Sequence, residues 1–286
     1  MKDDKLDHMT FRKFDLGTIK LDSVICLVGR RRSGKSWMIR QLLYEFSKRG
    51  MPYGKIYSGT EHCNPWFSEF FPKLFIEPTV DDDKIRDILN AQAKLVKTVR
   101  QRTGATDGRR LSNNMLLVFD DMMSEEDTWK KSKHFNKLFT EGRHYNILFC
   151  MAIQYVMGIP PKLRDNIDYA FLFANDGVSL KKLWENYAGV IPTFDMFKAI
   201  FHKFTRDRGC MVIDKTNSSG DLRDQVFYFK ADDPGPFQFG SRRFWETHEK
   251  RYREVDDEEE SDEQKLRKLI AMHGSGSQRY HISIES

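Results

Sequence analysis

The feature that most constrains the fold is the segment Val24 to Ser36, in which a short apolar run leads into Gly29-x-x-x-x-Gly34-Lys35-Ser36. This spacing is typical of a phosphate-binding loop (P-loop). The glycines let backbone N–H groups fold around the β-phosphate of a nucleotide, the lysine reaches the β- and γ-phosphates, and the serine hydroxyl ligates Mg²⁺. The apolar run predicts a buried strand over Val24–Val28, and the apolar spacing after Lys35 predicts a helix whose N-terminus favours phosphate.

The predicted nucleotide site includes every residue of this loop. Lys35 is the expected catalytic lysine and Ser36 an expected metal ligand. The expected cofactors are therefore ATP and Mg²⁺. The run of three arginines inside the loop is not required by the motif. The residues predicted to contact the nucleotide are Gly29, Arg30, Arg31, Arg32, Ser33, Gly34, Lys35, Ser36 and Trp37.

A second motif lies about 85 residues downstream, where the apolar run Met115–Phe119 is closed by Asp120 and Asp121. Paired carboxylates after a buried strand are typical of a Walker B motif, in which the first acid holds Mg²⁺ through water and the second polarises the attacking water. The second acid matters because a nucleotide kinase does not need it, whereas a nucleotide hydrolase does. The pair therefore favours hydrolysis, with Asp120 on the metal and Asp121 as the base.

A third pattern surrounds the predicted strand Ile147–Ile153. Gln154 follows this strand, so its amide is placed to touch the γ-phosphate or its water beside Walker B. Arg143 precedes the strand and is expected at the opposite edge of the sheet. The alternative interpretation is that Arg143 is a surface arginine at a helix C-terminus, where it interacts favourably with the helix dipole and has no catalytic role.

Taken together, these motifs resemble the FtsK/HerA superfamily, and most of all the poxvirus-type genome-packaging ATPases of large DNA viruses. The resemblance covers Asp22 to Leu172 and rests most specifically on Gly142-Arg143-His144 combined with Gln154. It implies a RecA-like (ASCE) P-loop fold, a ring-shaped oligomer and DNA translocation driven by ATP. It also implies an arginine finger at Arg143 and a sensor at Gln154. One departure is Asp121, where many relatives have glutamate.

Alternating strand and helix patterns predict one α/β domain over residues 23–241, with a mostly parallel sheet and helices on both faces. An N-terminal arm over 1–22 precedes it, and a charged, disordered tail over 242–286 follows. The net charge is +5, but residues 254–286 carry nine acids against four bases, so the rest of the chain is strongly basic. A basic body suits a polyanion such as DNA, with the tail as a solvated or autoinhibitory arm. An ordinary basic surface is the alternative.

Residues 100–110 follow the amphipathic pattern of Asp81–Arg100 and are polar, glycine-containing and rich in arginine. We predict a mobile basic loop that contacts DNA phosphates. A solvated insertion with no DNA contact explains the same composition. The candidate DNA-binding residues are Arg100, Arg102, Arg109 and Arg110.

Cysteine usage and hydropathy predict the compartment. Three of the four cysteines, Cys26, Cys150 and Cys210, lie in apolar runs, which favours buried thiols in a reducing, intracellular setting over disulfides. The run Ile147–Ile153 is far shorter than the roughly 20 residues that span a bilayer, so no membrane insertion is expected. The predicted location is the host cytoplasm or a viral assembly site, with virion association left open.

The sequence thus predicts an ATP-driven translocase of double-stranded DNA that packages a viral genome. Its expected partners are double-stranded DNA, further copies of the chain in a ring, and a capsid or portal component. A nucleotide kinase, a GTPase switch or an ATP-binding scaffold would share the P-loop without translocating. The segment Asp214-Lys-Thr-Asn217 has the wrong order for guanine recognition, which argues against the GTPase.

Overall fold

A computed structural model describes residues 9–61, 63–103, 113–122, 131–175 and 177–252. The strands in these ranges are β1 (Val24–Val28), β2 (Tyr53–Ser58), β3 (Ile76–Glu77), β4 (Met115–Asp120), β5 (Ile147–Ile153), β6 (Tyr169–Phe173), β7 (Cys210–Asp214) and β8 (Val226–Phe229). The helices are α1 (Lys35–Lys48), α2 (Asp82–Thr103), α3 (Lys133–Glu141), α4 (Pro161–Arg164), α5 (Gly177–Tyr187), α6 (Phe194–Phe204) and α7 (242–252).

Within the described ranges, eight strands form one sheet in the order β3-β2-β4-β5-β1-β6-β7-β8. The neighbours from β3 to β6 are parallel, and β7 and β8 join antiparallel. Val28, the last residue of β1, pairs with Ile153 on one side and Leu172 on the other, so parallel strands end together. We call this end of the sheet the carboxyl edge and the opposite end the amino edge. The predicted mostly parallel α/β sheet is confirmed.

The sheet has a hydrophobic core on each face because side chains alternate along each strand. Cys26 and Val28 face the core covered by α2, α3, α5 and α6. Ile25 and Leu27 face the core covered by α1. Every residue of β1, β5 and β6 is buried, as expected for parallel strands with helices on both sides. Helices on both faces are thus confirmed.

The N-terminal arm packs against the domain over its described part. Phe14 is buried, and its ring lies 5.8 Å from Tyr169, 5.9 Å from Phe171 and 5.3 Å from Phe227. Ile19 is fully buried on the same face as α1. The arm therefore covers the β6 side of the sheet.

The predicted tail needs a correction at its start. Residues 242–252 are helical, and Phe244 is 6% exposed, with its ring stacked 4.4 Å from Phe75. Phe239, just before this helix, stacks on Phe71 at 5.0 Å. These contacts hold the helix to the domain, so the expectation of disorder does not apply to residues 242–252. Residues 253–286 lie outside the described residues, and the three-part division of the chain otherwise stays a prediction.

Cys26, Cys150 and Cys210 are buried free thiols, as predicted, and burial raises the pKa of each. Cys63 is exposed. None of the helices in the described ranges is long and apolar enough to cross a bilayer.

Candidate functional site

The P-loop connects β1 to α1 at the carboxyl edge. Gly29 is tightly enclosed, since a Cβ there would lie 2.6 Å from the Phe173 Cβ and 2.8 Å from the Ser33 Oγ. Its N–H donates to the Ile153 carbonyl at 3.2 Å, which ties the loop to the end of β5. Gly34 caps α1 with a φ of 108°, a left-handed conformation that glycine adopts without steric cost. Arg32 also lies in the left-handed region, with a φ of 59°. These contacts and torsion angles define the path of the loop between β1 and α1.

Lys35 is turned back onto its own loop. Its Nζ donates to the carbonyl oxygens of Gly29 at 2.6 Å and Arg30 at 2.9 Å. Burial lowers the pKa of Lys35, and the charges of Asp120 and Asp121 oppose that effect. The ammonium group is thus held above the loop by two acceptors that a phosphate could replace.

Ser36 and Asp120, the two residues predicted to bind metal, lie in contact with each other. The Ser36 Oγ donates to the Asp120 Oδ2 at 3.1 Å, and Asp120 is 6% exposed. Burial raises the pKa of Asp120 to about 6, an effect that the Ser36 hydrogen bond counteracts in part. The Oγ of Ser58, which pairs with Asp120 in register, is buried without a hydrogen-bond partner among the described residues. This set of hydroxyl and carboxylate oxygens fits a hard cation such as Mg²⁺.

Asp121 and Gln154 also meet at the carboxyl edge. The Gln154 Nε2 donates to the Asp121 Oδ1 at 2.5 Å, and its Oε1 accepts from the Arg31 Nε at 3.2 Å. Asp121 has a φ of 54°, in the left-handed region that aspartate tolerates better than most residues. The structure thus brings together the two residues that the sequence placed on neighbouring strands. The amide holds the carboxylate, an arrangement that the sequence pattern did not predict.

Trp37, predicted to contact nucleotide, directs its ring to an aromatic cluster instead. Its ring lies 5.4 Å from that of Trp66, and the Arg40 guanidinium lies 5.5 Å from Trp37 and 5.4 Å from Trp66. The backbone N–H of Trp37 stays in the first turn of α1, where N–H groups lack partners within the helix. The predicted contact of Trp37 with nucleotide therefore involves this backbone group rather than the ring, and it stays a prediction.

Glu61 is a residue near the site that sequence reasoning missed. Its carboxylate accepts hydrogen bonds from the backbone N–H groups of Trp66, Phe67 and Ser68 at 2.9 to 3.1 Å. The negative charge of Glu61 also contributes to the raised pKa of Asp120. Glu61 therefore joins the aromatic cluster to the end of β2, next to Walker B.

The turn between α6 and β7 was missed as well. Because β7 is antiparallel to β6, its first residue, Cys210, pairs with Phe173 at the carboxyl edge. The turn therefore reaches the P-loop, where Arg208 lies against Gly34. The contact between Arg208 and Gly34 could not be predicted from the sequence, because the two residues are far apart in the chain and meet only in the fold.

Arg143 lies apart from all these residues. It is exposed in the 3₁₀ turn Gly142–Tyr145, directly before β5, at the amino edge. Burial raises the pKa of Asp168, directly before β6, and the positive charge of Arg143 is among the smaller effects that oppose the rise. Because β5 rises about 3.3 Å per residue, Arg143 lies roughly 20 Å from the P-loop of its own chain. The predicted position at the far edge agrees with the structure.

The predicted DNA-binding loop is only partly described. Helix α2 continues to Thr103, so residues 100–103 are helical rather than part of a loop. Arg100 is exposed and shares a groove at the amino edge with His144 and Tyr145. The backbone of Arg102 lies in α2, whereas Arg109 and Arg110 lie outside the described residues. Arg100 is therefore near Arg143 and away from the nucleotide site.

Comparison with known proteins adds family relationships. A family model described as "Poxvirus A32 protein" matches residues 11–206, a range that contains the P-loop, Walker B, Arg143 and Gln154. Protein L437 of Acanthamoeba polyphaga mimivirus is 34% identical over 241 residues, covering 84% of this chain and 83% of that protein. Protein 088R of Invertebrate iridescent virus 3 is 35% identical over 211 residues, covering 73% and 76% respectively.

Among solved structures, the chain is similar to B204, the DNA-packaging ATPase from Sulfolobus turreted icosahedral virus. The TM-score is 0.52 at 15% identity, with 74% of this chain and 98% of B204 covered. A complex of the genome packaging NTPase B204 from Sulfolobus turreted icosahedral virus 2 with AMPPCP gives a TM-score of 0.51 at 15% identity, with 74% and 100% covered. These similarities confirm the RecA-like P-loop ATPase fold.

Proposed function

Because the chain belongs to the Poxvirus A32 protein family, we propose that it is an ATP-driven motor that moves double-stranded DNA into a viral capsid. By family and by fold the chain is a P-loop ATPase. The observation that supports hydrolysis most strongly is the carboxyl edge itself. There, Lys35, Ser36 and Asp120 converge beside Asp121, which Gln154 holds by a hydrogen bond.

In the proposed reaction, backbone N–H groups of the P-loop bind the β-phosphate, and Lys35 exchanges its two carbonyl acceptors for phosphate oxygens. Asp121 accepts the proton of the attacking water, and Gln154 fixes the orientation of that carboxylate. Ser36 and Asp120 would hold Mg²⁺, which when bound would supply positive charge to offset the negative charge on the phosphate oxygens. The Arg31 contact to Gln154 links this arrangement to the loop.

The described residues contain one nucleotide site, and a motor with one such site per chain must act as an oligomer. We propose a ring in which Arg143 of one subunit completes the ATP site of the next. Its exposure at the amino edge and its distance from its own P-loop support action in trans. A guanidinium supplied to the γ-phosphate in this way stabilises the charge of the transition state.

The same edge carries Arg100, one of the proposed DNA contacts. Arg100 lies beside the turn that contains Arg143, so DNA binding could be transmitted to the finger through one small region. The proposed partners are double-stranded DNA, neighbouring copies of the chain, and a capsid or portal component. The proposed location is the host cytoplasm at the viral assembly site, with packaging complexes on the virion.

Two measurements test the proposal. Steady-state ATP hydrolysis should rise when double-stranded DNA is added, and the protein should displace a third strand from a triplex only when ATP is present. Lys35→Ala is the matched inactive control. Phosphoryl transfer to a nucleoside monophosphate, a strong preference for GTP, or ATP binding without turnover would contradict the motor and favour a kinase, a switch or a scaffold respectively.

A further inference from the structure

A cavity of about 480 Å³ lies next to the P-loop on the β6 side, away from Walker B. Its walls come from three places that are distant in sequence: the P-loop, Ala174 directly after β6, and the turn between α6 and β7. Four of the lining residues are arginines and one is an acid. The residues that matter here are Arg30, Arg31, Arg32, Ser33, Asp207 and Arg208.

The turn that closes this cavity has an unusual backbone. Asp207 and Arg208 both lie in the left-handed region, with φ values of 50° and 65°. Gly209 follows, and a Cβ there would lie 2.3 Å from the Phe204 carbonyl oxygen, so only glycine fits. Consecutive left-handed residues other than glycine are unfavourable and occur mainly where a ligand or a neighbouring element defines them.

Arg208 is placed directly against the phosphate-binding end of α1. Its Cβ and its carbonyl oxygen both lie 3.5 Å from the position that a Cβ on Gly34 would occupy. Among the described residues, no hydrogen bond or ion pair holds its guanidinium, and its side chain is exposed to the cavity. Ser33, 7% exposed, lines the same cavity with an Oγ that makes no hydrogen bond to any described residue. The Arg208 guanidinium is therefore available to a ligand, whereas the Ser33 Oγ is buried beneath the loop.

Strand order gives the direction in which a nucleotide must run. The groups expected at the γ-phosphate, Asp121 and Gln154, follow β4 and β5. Strand β1 lies between β5 and β6, and the Arg208 turn lies beyond it, on the β6 and β7 side. A triphosphate whose β-phosphate sits in the P-loop and whose γ-phosphate faces Walker B thus points its α-phosphate and nucleoside toward the cavity.

We propose that this cavity binds the nucleoside end of the ATP held by the same subunit, with Arg208 contacting the α-phosphate. The proposal rests on the ATPase function proposed above. A guanidinium presents paired N–H groups that match phosphate oxygens, and its flat face can stack on a base.

The test compares three ligands by calorimetry without DNA: AMPPCP, ADP and pyrophosphate. Replacing Arg208 by alanine should weaken AMPPCP and ADP about 10- to 100-fold each, the size of a lost charge-assisted hydrogen bond. Pyrophosphate has no α-phosphate or nucleoside, so its affinity should stay within about threefold. Arg206→Ala is the control, since Arg206 is an exposed arginine of the same turn that does not line this cavity.

Each other outcome would overturn the assignment. A loss for AMPPCP but not for ADP would place Arg208 on the γ-phosphate, and an equal loss for pyrophosphate would indicate a distorted P-loop. Unchanged nucleotide affinity with weaker DNA binding would make the cavity a DNA site. Arg208→Asn, which suits the left-handed region, guards against misfolding and should reproduce the alanine result at an unchanged melting temperature. Because DNA is absent, the inference can succeed even if translocation fails, and a wild-type chain that binds no nucleotide would remove both.

Discussion

The carboxyl and amino edges of the parallel sheet differ in whether their predicted functional side chains have bonding partners among the described residues. At the carboxyl edge, the side chains of the P-loop and Walker B motifs have partners in the same chain: Ser36 on Asp120, Gln154 on Asp121, and Lys35 on two carbonyls. At the amino edge, Arg143 and Arg100 are exposed, and no salt bridge holds either one among the described residues. One edge is a preassembled site, whereas the other carries arginines for which the described part of the chain supplies no salt-bridge partner.

This contrast indicates which edge binds the nucleotide and which edge contacts DNA or a neighbouring subunit. Partnered groups at the carboxyl edge are preorganised for a small ligand, so nucleotide binding should need only one chain. Unpartnered arginines attract anions, and the amino edge therefore suits the phosphates of DNA or of a neighbour's ATP. Substitutions at the carboxyl edge should act within a subunit, and those at the amino edge should act between molecules.

The largest expected effect separates the edges by rate. Arg143→Ala should lower DNA-stimulated kcat by about 10³- to 10⁵-fold, because the transition-state charge loses its guanidinium. Nucleotide affinity and melting temperature should not change, since Arg143 is exposed and far from its own P-loop. Steady-state ATPase assays check the rate, and Arg206→Ala should retain full activity. A normal rate in Arg143→Ala would remove this residue from the mechanism.

A smaller loss is expected at the carboxyl edge. Asp121→Asn should retain ATP binding while kcat falls about 10²- to 10⁴-fold, because the amide cannot accept a proton from water. Gln154→Glu should also slow turnover, since a second carboxylate would repel Asp121. Single-turnover kinetics alongside binding measurements check both variants. Full activity in Asp121→Asn would mean that the catalytic carboxylate is elsewhere, with Glu61 the next candidate.

Replacing Asp120 should raise the stability of the metal-free protein, whereas the substitutions above lower its activity. Burial raises its pKa to about 6, above the value near 4 of an unfolded chain, so the ionised form disfavours folding. The sign follows directly: stability is lost as pH rises from about 4 to 6. Asp120→Asn should therefore stabilise the metal-free protein by up to about 3 kcal/mol at pH 7, and much less at pH 4. Urea unfolding at both pH values measures this, and a variant less stable at pH 7 would contradict it.

The smallest effect concerns DNA. Arg100→Ala should weaken binding to all duplex sequences alike and flatten the dependence of log affinity on log salt by about 0.9, the value for one phosphate contact. Arg86→Ala is the control, because Arg86 is exposed on the same helix near its other end. Fluorescence anisotropy over a salt series measures both slopes. An unchanged slope in Arg100→Ala would favour the solvated interpretation of this region.

Much of the carboxyl edge could be predicted from the sequence because its motifs are local. The spacing from Gly29 to Ser36 fixes a loop, and apolar runs such as Ile147–Ile153 predict buried strands whose ends must align. Gln154 and Asp121 were expected close together for that reason. The hydrogen bond between them depends on side-chain geometry and was not predictable from spacing.

The missed features depend on contacts between distant parts of the chain. Nothing in the residue type of Arg208 indicates a left-handed backbone, and its contact with Gly34 arises only because β7 reverses direction. The helix at 242–252 looked like a charged tail, since Phe244 is one apolar residue among many polar ones. Its partner Phe75 is far upstream, so composition alone predicted disorder.

The most direct test of the contrast between the two edges is a mixing experiment. Lys35→Ala subunits have a defective ATP site and an intact Arg143, whereas Arg143→Ala subunits have the reverse. If Arg143 acts between subunits, mixed oligomers of the two inactive proteins contain sites in which an intact P-loop faces an intact arginine, and DNA-stimulated ATPase activity should reappear as mixing proceeds. If co-assembly is demonstrated by mass measurement and activity stays at the level of the separate variants, the account of an amino edge completed by a neighbour is contradicted.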